Sequence, residues 1–106
     1  MTILGIDPGL ATTGFGVITK EKRGITTQAW GTIKTKAQNS SEQRLEKIYQ
    51  SLLEIIKKHN PEAGACEDLF FSKNKKTAKK VFQARGAILA AFGNQNIPSK
   101  DYKPQS

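Results

Sequence analysis

The stretch Ile3-Leu4-Gly5-Ile6-Asp7-Pro8-Gly9-Leu10-Ala11 limits what this chain can fold into more than any other. Residues 3–6 read as a buried strand, and Asp7 falls where that strand meets a turn. Pro8-Gly9 is a turn dipeptide, because proline fixes φ and glycine accepts positive φ. Gly14, Phe15, Gly16, Val17 and Ile18 return as a second strand, with the glycines leaving open space beside the first. The product is a hairpin that presents a carboxylate on rigid backbone. Packing gives no reason for an aspartate there, and a charge at that position is costly unless it is paired, hydrated or bound to a metal. The plainer reading, a turn-forming aspartate, stands beside this one.

The remaining elements follow in order. Residues 20–24 read as a charged turn, and residues 25–35, with Thr26, Thr27, Trp30, Thr32 and Ile33, as a third, antiparallel strand. Ser40 and Gln43 fit a capping box, opening a helix that Asn60-Pro61 stops. Leu45, Ile48, Leu52, Ile55 and Ile56, with Tyr49 beside them, form one apolar stripe along it. His59 reads as a helix-end residue suited to the macrodipole. Residues 63–67 read as a central strand carrying Cys66 as buried filler and ending in Glu67. Residues 72–77 read as a basic loop, with Asn74 as N-cap of a second helix that ends at Gly93-Asn94. Its expected apolar side carries Ala78, Val81, Phe82, Ile88, Leu89 and Phe92, with Arg85 at the edge. Residues 97–102 read as a last strand, at a sheet edge because of Pro98. A strand–helix–strand crossover lays the later strand parallel to a neighbour. The strand ending in Glu67 can then lie beside the first strand and bring Glu67 to Asp7. The expected architecture is α/β, a mixed five-stranded sheet flanked by helices.

Two carboxylates at neighbouring strand ends repel each other, and an oxygen-seeking cation such as Mg²⁺ resolves the repulsion. Two such metals can flank a phosphodiester. The alternative leaves Glu67 as a surface residue. Charge is the second signal. The chain carries 17 Lys and Arg against 9 Asp and Glu, a net charge of +8, which favours a polyanionic partner. Between Asp68 and Asp101 there is no acidic residue, while Lys73, Lys75, Lys76, Lys79, Lys80 and Arg85 fall in that span. On a helix, 75/79 and 76/80 are like-charge pairs that weaken it unless an anion is bound. A merely solvated face is the competing reading. Phe70 and Phe71 follow Glu67-Asp68 and Leu69, and one of them can stack on a base or wedge into a duplex step; both in the core is the alternative. A length of 106 residues is that of one domain with a modest core. The single cysteine excludes an internal disulfide and fits a reducing compartment. No apolar run is long enough to span a bilayer, and no signal peptide is evident.

Three blocks then carry a resemblance. The first is residues 4–11 with Thr13-Gly14-Phe15-Gly16-Val17-Ile18. The second is Glu67-Asp68-Leu69-Phe70-Phe71, with Lys73-Asn74 and Thr77-Ala78. The third is Gln83-Ala84-Arg85-Gly86, followed by Ile97-Pro98 and Asp101-Tyr102 ahead of Pro104. In this order and spacing the chain closely resembles the RuvC-type Holliday junction resolvases of bacteria, which have a ribonuclease H-like fold. The resemblance implies one resolvase domain over residues 1–106. It implies a cytoplasmic, homodimeric endonuclease of recombination and repair, cutting two strands of like polarity at a four-way DNA junction. Asp7 and Glu67 fall on two of the family's catalytic metal ligands, for two Mg²⁺ per complete site, with Mn²⁺ as a substitute. Phe70 falls on the aromatic pushed into the junction's bases. The DNA-facing surface would comprise Lys73, Asn74, Lys75, Lys76, Lys79, Lys80 and Arg85. A motor complex that migrates the branch point is the implied partner, and the second helix is the candidate dimer surface. Two further acidic ligands lie on a later helix in that family. Asp101 is in the wrong place to be one, so the chain is expected to be C-terminally incomplete and to lack the closing helix. Two other readings remain: a non-catalytic junction-binding fragment, and an actin-like phosphate-binding domain built on the Gly-rich hairpin turn.

Overall fold

A computed structural model describes residues 1–67 and 75–102, and of residues 67, 75–77, 101 and 102 the backbone alone. The hairpin forms because β1 (Thr2–Asp7) and β2 (Thr12–Glu21) pair antiparallel, from Thr2↔Thr19 to Asp7↔Gly14. β2 runs beyond its apolar residues in both directions. Its polar ends pair with β3 (Gly24–Lys34), Thr12 with Lys34 and Glu21 with Gly24. Only Lys22 and Arg23 are left as the loop, and Gly24 takes φ of 131°. The turn expected over residues 20–24 is thus a two-residue hairpin connection, its length set by cross-strand pairing rather than by where hydrophobicity fades.

α1 (Ser41–His59) starts and stops as its punctuation requires. The Ser40 hydroxyl accepts from Gln43 N at 3.2 Å, and the Gln43 amide oxygen accepts from Ser40 N at 3.1 Å. Asn60 closes the helix in the left-handed region, φ 49° and ψ 55°, donating its N–H to the Ile56 carbonyl at 2.7 Å. The chain then enters β4 (Ala63–Glu67), which lies parallel to β1 with Ile3↔Ala63 through Ile6↔Cys66. α2 (Lys75–Asn94) leads to β5 (Ser99–Tyr102), parallel to β4 at the sheet edge. The order is β3-β2-β1-β4-β5, a mixed sheet whose first three strands are antiparallel.

Three expectations need correction. Residues 75–77 are the first turn of α2, not loop, because helix bonding starts at Lys75. β5 begins at Ser99 rather than residue 97; Pro98, which lacks an N–H, contributes instead its carbonyl, accepting from Gly64 N at 2.9 Å. The buried line of α2 is Ala84, Ile88, Ala91 and Phe92, whereas Phe82 is 53% exposed. Val81 and Leu89 are half-buried at the margins of that line. Small residues thus share the buried line with bulky ones.

The core lies on one side of the sheet. Leu4, Ile6, Val17, Ile33 and Cys66 meet Ile48, Leu52 and Ile56 of α1 and the buried line of α2. Fully burying one such side chain contributes about 1.5–3 kcal/mol. α2 packs closely over Gly64: a Cβ there would stand 2.5–2.9 Å from the Phe92 ring. The opposite side is different. Ile3, Gly5, Asp7, Gly14, Gly16 and Ala65 border an open groove of about 500 Å³. A Cβ added at Gly16 would meet nothing within 4 Å. Trp30, paired with Gly16 across β2 and β3, is 80% exposed.

Candidate active site

Parallel pairing of β1 with β4 decides the site. From the Ile6↔Cys66 pair, one further residue along each strand is Asp7 on β1 and residue 67 on β4. Both positions stand at the C-terminal ends of adjacent parallel strands, the end where α/β sheets bind their ligands. Ile6 is buried against the helices, so alternation turns Asp7 to the other side, where it is exposed at the rim of the open groove. Among the described residues its carboxylate has no hydrogen-bond or ion-pair partner. It is exposed, and it accepts no bond from the described backbone of its own turn, as a turn-forming aspartate would.

The turn after Asp7 is held from several parts of the chain. Leu10 is buried and plugs it into the core. Thr13, fully buried, donates its hydroxyl to the Gly9 carbonyl at 2.6 Å. Thr35 donates its N–H to the Ala11 carbonyl at 3.0 Å and its hydroxyl to the Leu10 carbonyl at 2.5 Å. Arg44 of α1 in turn donates Nε–H to the Thr35 hydroxyl at 2.9 Å. Glycine is required at position 9 because a Cβ would run into the Thr12 carbonyl. The carboxylate thus sits on a loop whose carbonyls are fixed by two threonines and, through one of them, by a helix. Sequence reading missed Thr13, Thr35 and Arg44. The only signal for them was a run of threonines that also fits plain strand propensity.

The basic residues divide. Lys79 and Lys80 are exposed on α2, and Arg85 is half-buried beside Ala84. Lys75 and Lys76 occupy the first turn of α2, which holds no acidic residue. Positive charge there opposes the helix macrodipole. Phe70, Lys73 and Asn74 lie outside the described residues. Among the described residues no group of three or more His, Cys, Asp or Glu side chains could share a metal ion. Asp7 fits a magnesium ligand in chemistry and exposure, and would supply one carboxylate of such a set. Among the described residues no helix is long and apolar enough to cross a membrane.

The order β3-β2-β1-β4-β5 with acids expected at the ends of β1 and β4 defines a ribonuclease H-like α/β domain. A family model described as "Crossover junction endodeoxyribonuclease RuvC" matches residues 3–106. A RuvC of that description from Fusobacterium nucleatum subsp. nucleatum is 43% identical over 104 residues, covering 98% of this chain and 55% of the relative. Another from Brachyspira hyodysenteriae is 45% identical over 105 residues, covering 99% of this chain and 66% of the relative. The solved structure of Thermus thermophilus RuvC in complex with a Holliday junction substrate superposes with a TM-score of 0.92. It is 32% identical, with 98% of this chain and 66% of that chain covered. The chain belongs to the RuvC crossover junction endodeoxyribonuclease family. It spans between about half and two thirds of the length of these relatives.

Proposed function

We propose that residues 1–106 are a single ribonuclease H-like domain of a Holliday junction resolvase, a magnesium-dependent endonuclease acting on four-way DNA junctions in the bacterial cytoplasm. The observation that supports it best is the exposed Asp7 carboxylate, without a partner among the described residues, at the end of β1, one residue past the Ile6↔Cys66 pair that leads β4 into Glu67. Asp7 and Glu67 would hold the metal, Mg²⁺ or Mn²⁺, whose chemistry when bound is to activate water and to neutralise charge on the phosphodiester. The chain itself supplies the rigid turn behind Asp7 and, on the helix that follows β4, a row of cations. Lys79 and Lys80, with Lys75, Lys76 and Arg85 on the same helix and Lys73 and Asn74 before it, would carry the DNA backbone. Phe70 would enter the bases. Two-fold pairing of such domains, across α2, suits a substrate that is itself two-fold, and a branch-migrating motor is the expected partner. Further acidic ligands, as the resemblance implies them, would lie in the part of the relatives' length that the chain does not span.

The test is nicking of a synthetic four-way junction by the full-length protein with Mg²⁺. Asp7→Asn is expected to bind the junction as wild type does and to cut it about 10³-fold more slowly, or less, the scale of losing several kcal/mol of charge stabilisation. Cutting at the wild-type rate would remove Asp7 from the site. Junction binding without cleavage by the wild-type full-length protein would favour the non-catalytic reading.

A further inference from the structure

Beside the turn that follows Asp7 is a second cleft, of about 270 Å³, which the acidic site does not use. Gly9, Ala11 and Thr12 of the turn form one wall, Arg44 of α1 another, and Lys80 and Val81 of α2 a third. Three separate segments therefore converge there, and among the described residues no carboxylate lines it. Arg44 is half-buried, and its Nε–H is taken by the Thr35 hydroxyl at 2.9 Å. Its two terminal nitrogens keep four N–H donors, and among the described residues none has a partner. Lys80 adds an exposed ammonium from the other helix. Two cations lining one cavity with no counter-charge among its described lining residues repel each other, and an anion between them removes that cost.

Resting on the junction-nuclease reading above, we propose that Arg44 and Lys80 together grip one backbone phosphodiester of the DNA strand, on a nucleotide flanking the bond that is cut. The chemistry is specific. A guanidinium fork already anchored through Nε presents its remaining donors in a fixed plane, which matches two phosphate oxygens, and the ammonium completes the site as a point charge. The place is specific too. Gly9 is two residues from Asp7, so the cleft wall lies within about 7 Å of backbone from the carboxylate. Because Arg44 also ties Thr35 to the Leu10 carbonyl, the residue that would hold the strand is hydrogen-bonded into the loop that carries the acid. Arg44 is on this argument a substrate-positioning residue, and it falls outside the basic stretch of residues 73–85.

The test is the salt dependence of four-way junction binding by the full-length protein, with Mg²⁺ replaced by Ca²⁺ to hold the DNA uncut. Arg44→Gln and Lys80→Gln are each expected to weaken binding and to lower the slope of log K against log salt by up to about 1. Lys57→Gln, near the far end of α1, removes the same charge and is expected to leave the slope at its wild-type value. Arg44→Lys restores charge without the fork and is expected to recover most of the slope and part of the affinity. A wild-type protein that does not bind the junction overturns the nuclease reading and this proposal with it. A wild-type protein that binds, with Arg44→Gln and Lys80→Gln matching Lys57→Gln, overturns this proposal alone. A slope that Arg44→Lys fails to recover assigns Arg44 to the Thr35 tether only, and equally overturns it.

Discussion

The two sides of the central sheet are built on opposite rules. On one side every second residue of β1, Leu4 and Ile6, is buried under α1 and α2, and the fit is tight enough that Gly64 has no room for a Cβ against Phe92. On the other, Gly5, Gly14, Gly16 and Ala65 line a groove in which an added carbon at Gly16 would touch nothing. Both sides share the same backbone and the same hydrogen bonds. What separates them is side-chain volume alone, and that is enough to make one side the source of stability and the other a place where Asp7 is reachable. A strand can thus carry a charge at its end at low cost, because the last residue of β1 alternates onto the side that water occupies.

The contrast can be broken or sharpened by substitution. Phe92→Ala should be the most damaging, losing about 3–5 kcal/mol in denaturant unfolding, because the ring is buried and the helix cannot collapse into its place. Thr13→Val should cost about 1–3 kcal/mol, since the Gly9 carbonyl loses a buried donor. Gly64→Ala should cost about 1–3 kcal/mol by overpacking. Combining it with Phe92→Leu should cost less than the two separately, a coupling that a double-mutant cycle measures directly. Gly16→Ala and Trp30→Thr, on the open side, should change unfolding of this chain by no more than about 0.5 kcal/mol. A Gly16→Ala variant as unstable as Gly64→Ala would mean that the groove is filled in solution, and would erase the distinction.

How much of this could be read from residues alone varied with the kind of force involved. α1 was legible to the residue, because its signals are local: the Ser40–Gln43 box, the stripe through Ile48, Leu52 and Ile56, and the left-handed Asn60 are all written in consecutive sequence. The first hairpin was legible for the same reason, although β2 extends into polar residues because β3 supplies them with partners. The buried line of α2 was misjudged, since Ala84 and Ala91 carry little weight in a hydrophobic pattern and yet are fully buried, while Phe82 is exposed. The adjacency of Asp7 to position 67 followed from crossover topology rather than from any motif. The Thr13, Thr35 and Arg44 bonds behind the acid were not legible. Each joins segments whose meeting depends on the completed sheet, and an arginine on a helix gives no sequence sign of what lies across from it.

The β1–β4 ladder has a consequence for how the molecule comes into being. Its two strands are joined across some 60 residues, as the Thr2 N–H bond to Glu62 Oε1 records, whereas β1, β2 and β3 zip through short neighbouring loops. Contacts of such long range are slow to form, because a large loop must close before they return any energy. The hairpins can therefore exist on a nascent chain well before the parallel strand docks. Until it does, Asp7 stands alone at the tip of a meander, and the neighbour that parallel pairing gives it at position 67 comes into place only when the last long loop has closed.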